Sequence, residues 1–229
     1  MENRLVLAID NSIDFLNIAL SLEQSLLEER RIKSTFPPSQ VLPGHVSGML
    51  AGHGYTVEDL SLVAVTLGPG SFTGMRVAVA FSKGIATGRA IPLIGVPTLD
   101  VLASPFSFME GYHILPLIDA KKGEIFTALY RVAGGSVEKL SDYRAIKPGE
   151  TPAIVRTPCV CFGTGARLAE DFLADMEGVT LIKDAFSAIS GERLIREALK
   201  RAADTPAEEV QPIYGRRSEA EIKFNVAVT

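Results

Sequence analysis

Short apolar runs alternate with longer mixed segments along this chain, and the scheme runs twice. Residues 5–9 form an apolar run that ends in Asp10, residues 15–20 form a second, and 23–33 make a polar stretch of strand-like length; together they predict a three-strand meander. After the loop FPPS, Leu42, Val46, Met49 and Leu50 share one helical face, which predicts a helix over 41–53 with Pro43 in its first turn. A strand over 62–67, the turn GPGSFTG, a helix over 72–87 and a strand over 91–96 follow. Strand, helix and strand joined by short connections imply a right-handed crossover onto a sheet of mixed strand direction.

The second half restarts with strands over 114–118 and 124–130 and one more between 137 and 146. A connection over 148–152, a strand over 159–162, the turn GTGA, an amphipathic stretch to Ala174 and a helix over 190–201 complete it. Each half opens with an apolar strand ending in Asp, at Asp10 and Asp119, then a turn and a second strand. That is a weak internal duplication of pattern, not of residue identity.

A length of 229 residues with 47% hydrophobic content suits one large domain or two small lobes. The formal charge of −4 lacks the basic excess that drives tight nucleic-acid binding, so direct binding of tRNA or DNA is not expected. Arg4 precedes an apolar run that Asp10 interrupts and no small-residue cleavage site follows, so the start reads as a strand. No apolar run approaches the length of a membrane span, and the expectation is a soluble, cytoplasmic protein. Cys159 and Cys161 alternate onto one face of a strand, an awkward geometry for a disulfide; they read as core thiols, the sharper alternative being a two-cysteine metal site with no histidine nearby.

Asp10, Asn11 and Ser12 close the first strand, where a carboxylate and a hydroxyl could orient a metal-bound phosphate; Asp-Asn-Ser is equally good turn chemistry. GPGSFTG precedes a helix whose free N–H groups could receive an anion, but it lacks the Gly-Lys-Ser/Thr of a P-loop. The plainer reading is a tight connection with Ser71 or Thr73 capping the helix. His45, His53 and His113 are the only histidines, no Gly-x-Ser-x-Gly elbow marks a nucleophile, and eight helical residues hold His45 and His53 about 12 Å apart, too far for one ion. Gly44, Gly48 and Gly52 recur every fourth residue, each costing about 1 kcal/mol of helix propensity, which close approach of another helix would offset. The second helix has only Arg76 and Lys83 charged and is otherwise apolar or small, a composition that suits either a central helix of one core or a helix facing another chain.

The segments IDNS, SQVLPGHVSGML, VTLGPGSFTGMRVAVAFSKGIA, IPLIGVPTLDVLA, IDAKKGEIFTALYR and PIYGRRSEA occur in an order that resembles the TsaB family, also called YeaZ. The resemblance spans nearly the whole chain and is most specific in GPGSFTGMRV. It implies an α/β, actin-like fold, that of sugar kinases and chaperone ATPases. Two ribonuclease-H-like lobes with mixed sheets are expected, an N-terminal one over 1–105 carrying interface helices and a C-terminal one over 106–229. The catalytic relative TsaD carries a His-x-x-x-His metal pair after the strand matching 91–96; this chain has Thr98 and Leu102 there, and a hydroxyl and an alkyl group do not replace two imidazoles. A metallopeptidase reading is therefore chemically unsupported.

What the resemblance implies is a companion role: binding TsaD, cooperating with the ATPase TsaE, and supporting transfer of threonylcarbamoyl to adenosine 37 of tRNA, with tRNA met only through the complex. No cofactor or metal is expected. Leu42, Val46, Gly48, Met49, Met75 and Val79 are the candidate contacts of one surface shared by self-association into a homodimer and by TsaD. The competing reading is a small ATPase or phosphotransferase of the same fold, using Asp10, Ser12, Asp119, Gly163 and Gly165 around a nucleotide. The chain departs from the family at Asn11, where Thr is usual, and at Gln40; Asn11 weakens the inherited phosphate-binding role.

Overall fold

The computed structural model describes residues 4–183, 188–204 and 210–215. In the first half the elements are β1 (Leu5–Asp10), β2 (Leu16–Leu22), β3 (Ser25–Ile32), α1 (Pro38–Gly52), β4 (Leu60–Thr66), α2 (Phe72–Arg89), β5 (Leu93–Val96) and α3 (Thr98–Ala103). The second half holds β6 (His113–Lys121), β7 (Glu124–Thr127), β8 (Tyr130–Ala133), β9 (Ser136–Lys139), β10 (Arg144–Ile146), α4 (Thr151–Ile154), β11 (Cys159–Phe162), α5 (Glu170–Leu173), β12 (Val179–Ile182) and α6 (Gly191–Asp204). The chain divides into two compact units, 1–105 with 188–212 and 106–187 with 213–229.

In the first unit a five-stranded sheet runs β3-β2-β1-β4-β5, with β1 antiparallel to β2 and parallel to β4. Odd positions of β1 (Leu5, Leu7, Ile9) join Leu42, Val46, Met49 and Leu50 of α1 and Val79 of α2 in one core cluster. Period-two alternation turns Val6, Ala8 and Asp10 to the opposite face. α6 packs against β1, β2, β4 and β5. Arg201 of α6 pairs with Asp100 of α3 at 2.6 Å. Glu29 of β3 accepts from the Gly191 amide at 2.9 Å and from the Asn17 side-chain amide at 2.8 Å, and that amide also donates to the Ile189 carbonyl at 2.6 Å. This net anchors the start of α6 to the sheet, so 188–212 belongs with the first unit and the expected C-terminal lobe of 106–229 is corrected accordingly.

The second unit repeats the scheme. Its strands β10-β7-β6-β11-β12 have the order and directions of β3-β2-β1-β4-β5: β6 is antiparallel to β7 and parallel to β11, which is parallel to β12. The duplication read from two Asp-terminated strands is thus one of topology. The single strand expected over 124–130 is broken: β7 ends at Thr127, and β8 begins at Tyr130 to pair with β6 and β9. Cys159 and Cys161 lie buried on one face of β11 with sulfurs 3.8 Å apart, free thiols in the core; their hydrogen bond and burial push the Cys161 pKa up. No third His, Cys, Asp or Glu completes a metal-binding group among the described residues.

Candidate functional site

Three places were singled out by sequence: the Asp10 turn, the Asp119 turn with GTGA, and the outer faces of α1 and α2. At the first, Asp10 ends β1 fully buried, and its Oδ1 accepts from the Ser12 amide at 3.0 Å, the Ser12 hydroxyl at 2.5 Å and the Thr66 hydroxyl at 2.7 Å. Burial pushes its pKa up, opposed by the hydrogen bonds from Ser12 and Thr66. Asn17, its register partner on β2, has its side-chain oxygen buried without a hydrogen-bond partner among the described residues. Ile13, Phe15, Asn17, Arg31, Ala188 and Ile189 line the small hollow beside Asp10.

The GPGSFTG loop lies directly on this turn. The Ser71 amide donates to the Ser12 carbonyl at 2.7 Å and the Asn11 side chain donates to the Gly74 carbonyl at 3.3 Å. A Cβ at Gly70 would collide with the Ser12 carbonyl and one at Gly74 with the Asn11 carbonyl, so these glycines serve close backbone approach. Ser71 Oγ caps α2 by accepting from the Gly74 amide at 3.2 Å. Two N–H groups that an anion would need, those of Ser71 and Gly74, are therefore already engaged. The arrangement is a packed connection, and Asn11 serves it as a donor.

Asp10 gives a pH test. Its carboxyl titrates near 3.8 when unperturbed and higher when folded, so it contributes stability below the unfolded value that is lost as pH rises through the folded one. Asp10→Asn keeps an acceptor for Ser12 and Thr66 and cannot ionise. Thermal melts should show the variant gaining on the wild type as pH is raised from about 4 to 8; a difference independent of pH would place the ionised carboxylate at no disadvantage in the fold.

In the second unit Asp119 is held by its own turn: Oδ1 accepts from the Lys121 amide at 2.7 Å and Oδ2 pairs with Lys121 Nζ at 3.1 Å. GTGA packs onto the end of β6, the Gly165 amide donating to the Leu117 carbonyl at 2.8 Å and Thr164 Oγ1 accepting from the Asp119 amide at 3.0 Å. Gly163 has φ +113°, and a Cβ there would collide with the Leu117 carbonyl. Thus Asp10 and Ser12 come together in one unit, and Asp119, Gly163 and Gly165 in the other.

Five of the six candidate interface residues are corrected. Leu42, Val46, Met49, Met75 and Val79 are each at most 4% exposed, because the apolar face of each helix is spent on its own sheet. Gly48 alone lies outside. The exposed faces include Gly44, Ser47, Gly48, Ala51 and Gly52 on α1 and Arg76, Ala80, Lys83, Gly84 and Thr87 on α2, with Phe72 exposed at the start of α2. Among the described residues, a Cβ at Gly44 or Gly52 would meet nothing within 4 Å, and one at Gly48 only Arg30 Nη1 at 3.8 Å, so no described element packs on the glycine stripe. Pro43 sits inside α1, which starts at Pro38.

Sequence reasoning missed Thr66, Asn17 and Glu29. Asn17 carried a signal, as a lone polar residue within the apolar run FLNIAL. Thr98 and Leu102, which the resemblance sets against the histidine pair of TsaD, lie one turn apart on α3, both buried. His53 pairs with Glu28 at 3.1 Å, and the His45 carbonyl faces Arg30 at 3.5 Å.

Comparison with known proteins extends this description. The family model "TsaD: tRNA N6-adenosine threonylcarbamoyltransferase" matches residues 39–156. The tRNA threonylcarbamoyladenosine biosynthesis protein TsaB of Bacillus subtilis is 33% identical over 135 residues, 59% of this chain and 58% of that protein. An uncharacterised protein of Mycobacterium tuberculosis is 30% identical over 159 residues, 67% of this chain and 72% of its own length. The solved structure of YeaZ from Pseudomonas aeruginosa superposes with a TM-score of 0.73 over 92% of this chain and 99% of that one, at 24% identity, a likeness of fold. The match spans less than two thirds of the length of the Bacillus subtilis TsaB relative. The paired ribonuclease-H-like sheets are those of the actin-like ATPase fold, and the chain belongs to the TsaB (YeaZ) family.

Proposed function

We propose that this chain is an accessory, non-catalytic subunit of the cytoplasmic machinery that forms threonylcarbamoyladenosine at position 37 of tRNA, docking on the catalytic subunit TsaD and working with the ATPase TsaE. The observation that carries the reading is the pair Thr98 and Leu102, buried side chains where the catalytic relative presents metal-binding histidines. The docking surface is the small-residue outer face of α1 and α2, corrected to Gly44, Gly48, Ala51 and Gly52 with the exposed stripe of α2. The same surface serves self-association, so homodimer and heterodimer compete. tRNA is reached through the complex, in keeping with a formal charge of −4. No helix of the described residues is long and apolar enough to cross a membrane.

The phosphotransferase reading has weaker support. Asp10 has its Oδ1 filled by three donors from its own chain, Asp119 is bound to Lys121, and the amides of Ser71 and Gly74 are taken. Reconstitution tests the proposal: with TsaD, TsaE, tRNA and the threonylcarbamoyl adenylate supplied, modified adenosine should form with this chain present and fall by at least about tenfold (about 1.4 kcal/mol of barrier) when it is left out. Undiminished modification without it, or steady ATP turnover by the isolated chain, would contradict the reading.

A further inference from the structure

The outer face of α1 and α2 carries cations and no acid of its own, in a chain of formal charge −4. Arg30, Arg76 and Lys83 lie at this face, Arg30 paired with Glu28, whereas Arg31 and Lys33 lie over the Phe15 ring and Arg31 lines the hollow beside Asp10. α1 and α2 contribute to one core cluster on one face of the sheet and touch each other, so their outward residues form a continuous surface. Arg76 and Lys83 stand on the exposed stripe of α2 with Ala80, Gly84 and Thr87. Arg30 reaches from β3 to the edge of α1 beside Gly48, held by Glu28 and near the His45 carbonyl. Neither helix carries an acidic residue.

We propose that this face selects an acidic helical surface on a heterologous partner and disfavours a second copy of this chain. The inference rests on the docking reading above and adds the chemistry the partner must present. Small side chains admit a partner helix at short range, where charges are only partly solvated and act more strongly than across open water. A two-fold contact between identical copies brings the same patch onto itself, so Arg76 and Lys83 meet a surface of their own sign. A partner with carboxylates on the facing helices meets no such repulsion. Screening separates the two cases, because the Debye length falls from about 10 Å at 0.1 M salt to about 3 Å at 1 M.

The experiment measures binding of the proposed catalytic subunit, and self-association of this chain, by sedimentation at about 50 mM and about 500 mM sodium chloride. The wild-type complex should weaken at least about tenfold at the higher salt while the homodimer tightens. Arg76→Glu with Lys83→Glu should lower partner affinity at least about tenfold at low salt and little at high salt. Both positions are exposed on a helix, and a retained cooperative melt confirms that the variant is folded. Gly48→Leu adds bulk without charge. If it abolishes binding while salt and the charge reversals leave affinity within about twofold, the face docks but charge does not select the partner, and the inference fails alone. If Gly48→Leu binds like the wild type, the docking reading fails and the inference with it. A homodimer that loosens with added salt would also overturn it.

Discussion

Met49→Asp is expected to unfold the first unit rather than to loosen a partner contact. Met49 is wholly buried in the cluster that joins α1 to β1 and β2. Truncating such a side chain costs about 2–5 kcal/mol, and an unpaired buried carboxylate adds several more. A domain is stable by only about 5–15 kcal/mol, so this single change is comparable with the whole. Circular dichroism and urea unfolding should show loss of the cooperative transition, or a midpoint shifted by most of its range. A transition within about 1 kcal/mol of the wild type would mean that Met49 does not face this core.

Gly48→Arg should do the reverse, leaving the fold and removing the assembly. Its Cβ would meet only Arg30 Nη1 at 3.8 Å. Leaving glycine gains up to about 1 kcal/mol of helix propensity, which offsets the new like charge beside Arg30. A guanidinium on the stripe holds an approaching helix away, and a loss of at least about 2 kcal/mol of binding, near thirtyfold in affinity, is expected for both the homodimer and the complex with the catalytic subunit. Sedimentation of the variant alone and mixed checks it; wild-type affinity would show that the stripe is not at the interface.

The contrast between these neighbouring residues shows where the sequence was legible. Leu42, Val46, Met49 and Leu50 announce a helix and its apolar face, but periodicity does not say whether that face meets the chain's own sheet or another protein. The space around the glycines carries the answer: unlike Gly74, which is pressed against the Asn11 carbonyl, Gly44, Gly48 and Gly52 have little or nothing beside them among the described residues, so the stripe lies on the side away from the sheet. The duplication was readable because buried strands are short apolar runs, each closed by an Asp in sequence, although β6 runs on past Asp119 to Lys121 whereas β1 ends at Asp10. β12 escaped because VTLI follows a Gly without alternation, and α3 because TLDVLA is only six residues long. The net of Asn17, Glu29, Ile189 and Gly191 joins positions up to 172 apart, and no local pattern contains it. Of the late motif, RRSEA, together with the tail EIKFNVAVT, lies outside the described residues.

The site at Asp10 was legible as a place and not as a role. Asp-Asn-Ser after a buried strand signals a turn, a phosphate contact or both. Only the three hydrogen bonds to Oδ1, from Ser12 and from Thr66 of β4, and the close approach of Gly70 and Gly74 show that the turn joins β1 to β4 and to the start of α2.

The central claim is that this chain acts by docking through the glycine face and not by chemistry at Asp10, and the most direct measurement is the threonylcarbamoyladenosine content of tRNA, by nucleoside mass spectrometry, in cells depleted of the wild-type chain. Asp10→Asn should restore the modification, and Gly48→Arg, present at equal abundance, should not. Restoration by Gly48→Arg together with failure of Asp10→Asn would contradict the account and return the function to the carboxylate.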